Sequence, residues 1–314
     1  MLTKVAFVLG LLCAVAGGAW LAKPRPAATA EAAQSPVAQT VQFATDPVRA
    51  ADALIRRLQQ TPFAGTIDFE LSIQRWPGGR AAGGEPEMIR QLGRIYVGGT
   101  DKYRLDLWTG PLEAPIVCAL NGRRVWMVWR DNRVVMQSAL PVPEQATGWL
   151  GQLRMQAGQT VAMAHLLLHA GFLPSADISI ASASRDENGD LVIRIPTGGD
   201  SAAAGPASVL RAQFSRELSE FVPVGWIYSS GASRTFSEYL DLGPHGAIPS
   251  VLGHFSDRVI EELRVTDTNM RPPRDALLVH AFDPPEQSDP AWATIAASVF
   301  YAPDGTEHIQ AWPR

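Results

Sequence analysis

Successive antiparallel β-strands are predicted by the stretch Asp101–Gln137, which reads DKYRLDLWTGPLEAPIVCALNGRRVWMVWRDNRVVMQ. Its first strand alternates Tyr103, Leu105 and Leu107 with polar neighbours, the pattern of a strand with one buried face. Asn121-Gly122 then separates two apolar runs and favours a two-residue hairpin, because such a turn needs positive φ at both central residues. The stretch therefore predicts a β-meander that buries one face and contains no catalytic motif.

The composition is that of a globular protein with a sizeable core. The chain has 314 residues, of which 46% are hydrophobic and 18% charged, and its net charge is −4. Nine tryptophans supply large side chains that suit a core or the wall of a cavity. The sequence has no basic stripe that would neutralise phosphates, so nucleic acid is not an expected partner.

Residues 1–22 predict a secretory signal peptide or an N-terminal anchor. Lys4 precedes the uncharged apolar run Val5–Ala22, and a basic residue followed by such a run is typical of an export signal. The run is also close to the minimum length of a membrane-spanning helix, so an uncleaved anchor is the alternative. Cys13 follows Leu12, which is too large for a good lipoprotein processing site. Either interpretation exports the rest of the chain.

The remaining sequence predicts one helix, several strands, one or two helices and then more strands. Residues 23–45 are rich in Ala, Pro, Gln and Thr and predict a flexible linker. Asp46-Pro47 begins a helix that ends at Pro62. Two further helices are predicted over Gln145–Gln156 and Thr160–Phe172. The later strands are predicted over Ile178–Ala183, Leu191–Ile195, Val209–Phe214, Val224–Ser229, Thr235–Leu242, Val251–Phe255, Val259–Thr266 and Leu277–Phe282. This order predicts an α+β fold, a curved antiparallel sheet with helices covering its concave face.

Several residues are candidates for chemistry, and each also has a simpler structural interpretation. His165 and His169 share one helix face and could bind a metal, but no third ligand is evident, so a polar stripe is the better interpretation. Cys118 lies within a strand and is expected to be a small buried hydrophobe. Glu261 and Glu262 are adjacent in a strand and face opposite sides, which disfavours a carboxylate pair. The segment Asp186–Asp190 is expected to be a hairpin tip rather than a calcium loop.

No metal, cofactor or catalytic residue is predicted. Gly231-Ala232-Ser233 lacks the second glycine of a hydrolase nucleophile elbow, and no Gly-Lys-Ser/Thr phosphate loop occurs. The sequence therefore favours a protein that is not an enzyme.

The order of elements resembles the periplasmic outer-membrane lipoprotein carrier and receptor superfamily, of the LolA/LolB type. The resemblance begins with a helix followed by Phe63-Ala64-Gly65-Thr66-Ile67. It continues through Leu92–Val97, Asp101–Leu107 and Leu120–Trp126, and it ends with Asp275–Leu278 and Phe282-Asp283-Pro284-Pro285. It implies an open half-barrel over residues 46–286, with residues 287–314 as a C-terminal extension. The carrier's arginine after the strand matching Ile95–Val97 is replaced here by Gly98-Gly99-Thr100, so its lid-locking mechanism is not transferred.

The resemblance implies a periplasmic carrier or receptor that binds acyl chains of lipids or lipoproteins in an apolar cavity. Its expected partners are that cargo and an inner-membrane transporter or outer-membrane receptor. The expected cavity lining combines strand residues of one parity with residues of the helices: Leu54, Leu58, Phe69, Leu71, Tyr103, Leu105, Leu107, Met127 and Leu168. An ordinary core would use the same residues. An envelope-stress sensor of the sigma-factor regulator type, with an added smaller domain, is the alternative function because the chain is longer than the carriers.

Overall fold

The computed structural model describes residues 46–60, 63–110, 115–129, 134–172, 178, 180–196, 207–243, 246–271, 278, 281–284, 293–301 and 307–313. The predictions for the signal or anchor and for the linker lie outside these residues. Within these ranges, no helix combines the length and the apolar composition needed to cross a membrane.

The described part of the chain contains the following two α-helices and fifteen β-strands. The helices are α1 (Pro47–Gln60) and α2 (Gly148–His169). The strands are β1 (Ala64–Arg75), β2 (Glu87–Gly98), β3 (Lys102–Trp108), β4 (Ile116–Asn121), β5 (Arg124–Trp129), β6 (Val134–Ala139), β7 (Ser182–Arg185), β8 (Leu191–Pro196), β9 (Ala207–Ser215), β10 (Glu220–Ile227), β11 (Ser233–Asp241), β12 (Ala247–Phe255), β13 (Val259–Met270), β14 (Ala293–Tyr301) and β15 (Glu307–Pro313).

The strands form one open sheet in the order β15-β14-β6-β5-β4-β3-β2-β1-β13-β12-β11-β10-β9-β8-β7. Neighbouring strands are antiparallel except β14 and β6, which are parallel. Consecutive strands are neighbours in most of the sheet, as short hairpin connections require. The predicted α+β half-barrel is confirmed, with β1 pairing against β13 where the two halves of the chain meet.

The sheet curves around both helices. Met136 of β6 and Ile193 of β8 belong to the same apolar core, although many strands lie between β6 and β8 in the sheet order. A flat sheet could not bring such distant strands onto two helices. Register shifts at Asp68/Phe69 and at Pro223/Gly225 mark irregularities that bend the strands locally.

Helix α1 begins as predicted. The carboxylate of Asp46 accepts hydrogen bonds from the backbone N–H groups of Val48 (2.9 Å) and Arg49 (3.4 Å). Asp46 thereby satisfies N–H groups that have no partner inside the helix, and Pro47 occupies the first helical position, where no N–H is needed.

The one or two helices predicted after the meander are the single helix α2, which runs through the expected break between Gln156 and Thr160. Two strand predictions were wrong. The strand predicted over Ile178–Ala183 is displaced, since β7 begins only at Ser182. The strand predicted over Leu277–Phe282 is wrong because Leu278 and Ala281 are helical. Leu278, Ala281 and Phe282 are spaced as one helix face and pack together against Tyr96.

Candidate functional site

The concave face of the sheet is apolar and buried. In β1, Ile67, Phe69, Leu71 and Ile73 are each at most 2% exposed, whereas Glu70 on the other face is exposed. This alternation follows from the period-two geometry of a strand. Phe69 lies directly over Gly93 of β2, because a Cβ atom added to that glycine would be only 2.1 Å from the Phe69 ring. The glycine leaves room for the ring.

Helix α2 covers the middle of this face. It contacts β2 to β6 and β12, while α1 contacts β7, β8 and β10 and packs against α2. Buried residues occur all around α2, including Leu153, Val161 and Leu167. A helix buried on most of its circumference lies inside a core rather than on a surface.

The nine residues predicted to line a cavity all lie in the core between the sheet and the helices. They are buried and belong to one cluster: Leu54, Leu58, Phe69, Leu71, Tyr103, Leu105, Leu107, Met127 and Leu168. In this structure they pack against one another. That they bind a ligand stays a prediction, because a core and a lipid cavity use the same side chains.

The tryptophans are divided between the two faces of the sheet. Trp226 packs against the concave core and contacts Phe172, with ring centroids 4.7 Å apart. Trp126, by contrast, lies in a separate cluster, and its indole N–H donates to the carbonyl oxygen of Phe282 at 2.8 Å. Trp126 thus belongs to a core, as expected, but to one separate from the concave core that its neighbour Met127 faces.

His165 and His169 fasten α2 to its neighbours. The Nδ1 atom of His169 donates to the carbonyl oxygen of Leu58 at 2.5 Å, which joins α2 to α1. His165 Nε2 lies 3.4 Å from the Tyr103 hydroxyl of β3. Burial lowers the pKa of both imidazoles, that of His165 to about 3. Both rings are therefore neutral near pH 7, and the described residues contain no group of three His, Cys, Asp or Glu side chains able to hold a metal.

Cys118 joins β4 to α2. Its side chain is 1% exposed, which confirms the expected buried position, and it hydrogen-bonds the side chain of Thr160. Burial raises the pKa of the thiol to about 12. A thiol that stays protonated is a poor nucleophile. Cys118 therefore marks a point of close contact between sheet and helix rather than a reactive centre.

A polar row on the concave face was missed by the sequence reasoning. Arg234 of β11 lies opposite His254 of β12, which lies opposite Glu261 of β13. His254 is 8% exposed and Glu261 only 3%. The sequence indicated that Glu261 faces away from Glu262, but it did not indicate the partners of Glu261 across the strands.

The three polar residues line a small cavity beneath α2. The cavity has a volume of about 10 Å³, close to what one water needs. Met163 and Leu166 of α2 and Leu71 of β1 form part of its apolar wall. The polar members of the lining, Arg234, His254 and Glu261, can bind a polar group.

A signal for Glu261 was present in the sequence. Val259, Leu263 and Val265 occupy the same parity of β13 and are buried, so a glutamate between them must also face inward. The approach of Arg234 and His254 depends on the register of three strands, which the sequence alone does not specify.

The acidic segment Asp186–Asp190 is the hairpin tip that the sequence predicted. The carboxylate of Asp186 accepts hydrogen bonds from the backbone N–H groups of Asn188 (2.9 Å) and Asp190 (3.0 Å) between β7 and β8. A side chain that bonds to the backbone two residues later stabilises such a turn.

No protein-family model matches the chain, and neither does any curated protein. Among solved structures, the chain is similar to a LolA superfamily protein from Nitrosomonas europaea, with 13% identity, 73% of this chain and 97% of that chain covered, and a TM-score of 0.42. It is also similar to a domain assigned to outer membrane lipoprotein sorting in Vibrio parahaemolyticus, with 9% identity, coverage of 74% and 96%, and a TM-score of 0.44.

A third similar structure is an uncharacterized conserved protein from Thermus thermophilus, with 10% identity, coverage of 78% and 98%, and a TM-score of 0.30. With identities of 13% or less and TM-scores between 0.30 and 0.44, we base the function on the packing and polar groups described above.

Proposed function

We propose that this protein is a non-enzymatic periplasmic carrier or receptor that binds acyl chains of lipids or lipoproteins between α2 and the concave face of the sheet. The observation that carries the proposal is the position of the nine predicted residues. Strand residues such as Leu105 and Met127 and helix residues such as Leu58 and Leu168 contribute to one apolar core.

Acyl chains could enter this core only after a movement of the helix. The cavity under α2 holds about one water, so an acyl chain must replace contacts that α2 now makes with the sheet. The polar contacts that hold α2 to the sheet and to α1 include His169 with Leu58, His165 with Tyr103, and Cys118 with Thr160. In the structure, α2 keeps the apolar concave face of the sheet away from water. In the ligand-bound state, the acyl chain would cover that face instead.

The test is to lock α2 onto the sheet. Thr160→Cys places a second thiol beside Cys118, and Cys13→Ala in the same chain prevents mispairing. The full chain is delipidated, and its binding of a fluorescent fatty acid is titrated twice. The first titration uses the oxidised protein, and the second uses the same protein after reduction. We expect binding in the reduced form and at least about tenfold weaker binding in the oxidised form, because a disulfide holds the two Cα atoms within about 7 Å.

The control carries Cys118→Ala together with Thr160→Cys and Cys13→Ala. It cannot form the bond, so its binding should be the same under both conditions. No binding by the delipidated wild-type chain would refute the proposal. Equal binding by the locked and unlocked forms would place the ligand elsewhere.

The sensor alternative is based on the additional C-terminal length. In the described residues, β14 and β15 join the main sheet beside β6. They add no separate folded unit there, so we retain the carrier or receptor as the proposal. Its exchange partner would be an inner-membrane transporter or an outer-membrane receptor.

A further inference from the structure

Three polar side chains form a row across the apolar concave face. Arg234 and His254 are paired across β11 and β12, and His254 and Glu261 are paired across β12 and β13. Residues directly opposite each other in antiparallel strands have Cβ atoms about 4.5–5.5 Å apart. All three line the cavity beneath Met163 and Leu166. The row is therefore a compact group aimed at the space that α2 covers.

The row contains polar atoms that lack hydrogen bonds. Both carboxyl oxygens of Glu261, Nδ1 of His254 and Nε of Arg234 are buried without a partner. The indole N–H of Trp226, which is paired with Arg234 in the neighbouring strand, also has none. Buried polar atoms without partners are costly and uncommon, and they indicate that something else satisfies them.

The unpartnered atoms need a group that both donates and accepts hydrogen bonds. The Nε–H group of Arg234 needs an acceptor, whereas a carboxyl oxygen of Glu261 can accept. A hydroxyl or an amide can satisfy both kinds at once. An anionic group has acceptors only and would be placed beside the carboxyl of Glu261.

Size and charge also favour a neutral group. The cavity accommodates about one water, which is close to the volume of a hydroxyl and much smaller than a phosphate. Burial raises the pKa of Glu261 to about 7 and lowers that of His254 to about 4. At pH 8 Glu261 is ionised and the His254 imidazole is uncharged. Arg234 is then the one positive charge among the three side chains, and Glu261 already balances it, so an anionic head group would be left without a counter-charge.

We propose that Arg234, His254 and Glu261 form a subsite for the neutral polar head group of the acylated ligand, one that carries a hydroxyl or an amide. This inference rests on the proposed function, since the acyl chain would occupy the apolar core beside Leu71. The subsite would fix one end of the ligand and select against head groups that are only anionic.

The test uses ligands that share one chain and differ in head group. The delipidated full chain is loaded with the fluorescent fatty acid, which is then displaced at pH 8 by oleyl alcohol, oleamide or oleate. We expect oleyl alcohol, oleamide or both to displace it at concentrations about tenfold lower than oleate, which lacks a donor. Comparison of the first two distinguishes a hydroxyl from an amide.

Glu261→Leu should abolish this preference while retaining the acyl-chain site, so all three ligands should compete equally. Glu262→Leu, on the exposed side of the same strand, is the matched control and should keep it. If Glu261→Leu fails to fold, Glu261→Gln replaces it: the amide carries no negative charge at pH 8, so it should reduce the discrimination against oleate. Equal displacement by the three ligands in the wild-type chain, or a preference that survives Glu261→Leu, would overturn the subsite alone. A wild-type chain that does not bind the probe would overturn the proposed function as well.

Discussion

Glu261 has a buried carboxyl group, and burial disfavours its ionised form. It is 3% exposed, and neither oxygen has a hydrogen-bond partner. Burial raises its pKa from 4.5 to about 7, although the positive charge of Arg234 acts in the opposite direction. The folded protein therefore holds a proton there between about pH 4.5 and 7, where the unfolded chain has released it.

This difference predicts how stability depends on pH at this residue. A group that binds its proton more tightly when folded contributes stability at low pH and loses that contribution as pH rises through its folded pKa. Glu261→Gln, which does not ionise, should therefore be more stable than the wild type at pH 8, by on the order of 3 kcal/mol. At pH 4 the two should differ little. Urea unfolding at both pH values measures this, and an equal difference at both would contradict it.

Gly93 gives a prediction about packing. Gly93→Ala would place a methyl group into the ring of Phe69, which is 1% exposed and has little room to move. We expect a loss of about 1–3 kcal/mol in the free energy of unfolding, the usual effect of overpacking.

Gly158→Ala is the control, and its free energy of unfolding should change in the opposite direction. It has open space around its Cβ position in α2, so it should stabilise by up to about 1 kcal/mol. Denaturant unfolding measures the stability of both variants. If Gly93→Ala unfolds with the same free energy as the wild type, the Phe69 ring is loosely packed.

At the residue scale, the sequence predicted which side chains face inward, but it did not predict which residues lie opposite them on adjacent strands. Phe69, Leu71 and Leu105 follow from period-two alternation, which is a local property. The proximity of Arg234 and Glu261 depends on how β11, β12 and β13 are aligned. That alignment is determined by side-chain packing and by bulges, so a single sequence does not supply it.

At the element scale, α2 shows how tertiary packing overrides local signals. Gly158 lies where the two predicted helices were separated, and a glycine there disfavours a helix by about 1 kcal/mol. Its neighbours Ala157 and Gln159 are nevertheless buried against the rest of the protein. Their burial favours a continuous helix, and it was not visible in a pattern read from the sequence alone.

The histidines of α2 predict that the helix is destabilised in acid. His165 has a pKa near 3 when folded and 6.5 as its ordinary value. Between these pH values the unfolded chain binds a proton that the folded protein does not, so stability falls as pH decreases from about 6.5. His165→Gln should reduce this pH dependence by up to about 1.4 kcal/mol per pH unit.

Tyr103→Phe is the control for the histidine variant. It removes the hydroxyl that lies 3.4 Å from His165 but leaves the imidazole in place, so the slope should stay close to that of the wild type. Unfolding free energies measured from pH 7 to 4 give the slope for each protein. If His165→Gln and the wild type have the same slope, the acid sensitivity originates elsewhere.

At the scale of the whole molecule, the two halves of the chain meet in the middle of one open sheet, which has an edge strand on each side. The pairing of β1 with β13 joins distant parts of the sequence, and no local signal predicted it. One edge strand, β7, is only four residues long, which limits its ability to pair with another chain. At the other end, β14 pairs with β6 and thus covers the last strand of the sequence-predicted meander.

This arrangement predicts the consequence of removing residues 287–314. Without β14, the backbone groups of Val134–Ser138 that face it would lose their partners and form an exposed edge. We expect the shortened chain to self-associate, as uncovered edge strands commonly do, and to sediment as larger species at concentrations where the full chain does not. Gln137→Lys in the shortened chain places a charge on that edge and should reduce the association. The nine predicted lining residues all precede position 287, so dilute shortened protein should still bind the fluorescent fatty acid. A shortened chain that stays as dispersed as the full one would show that β14 and β15 do not protect this edge.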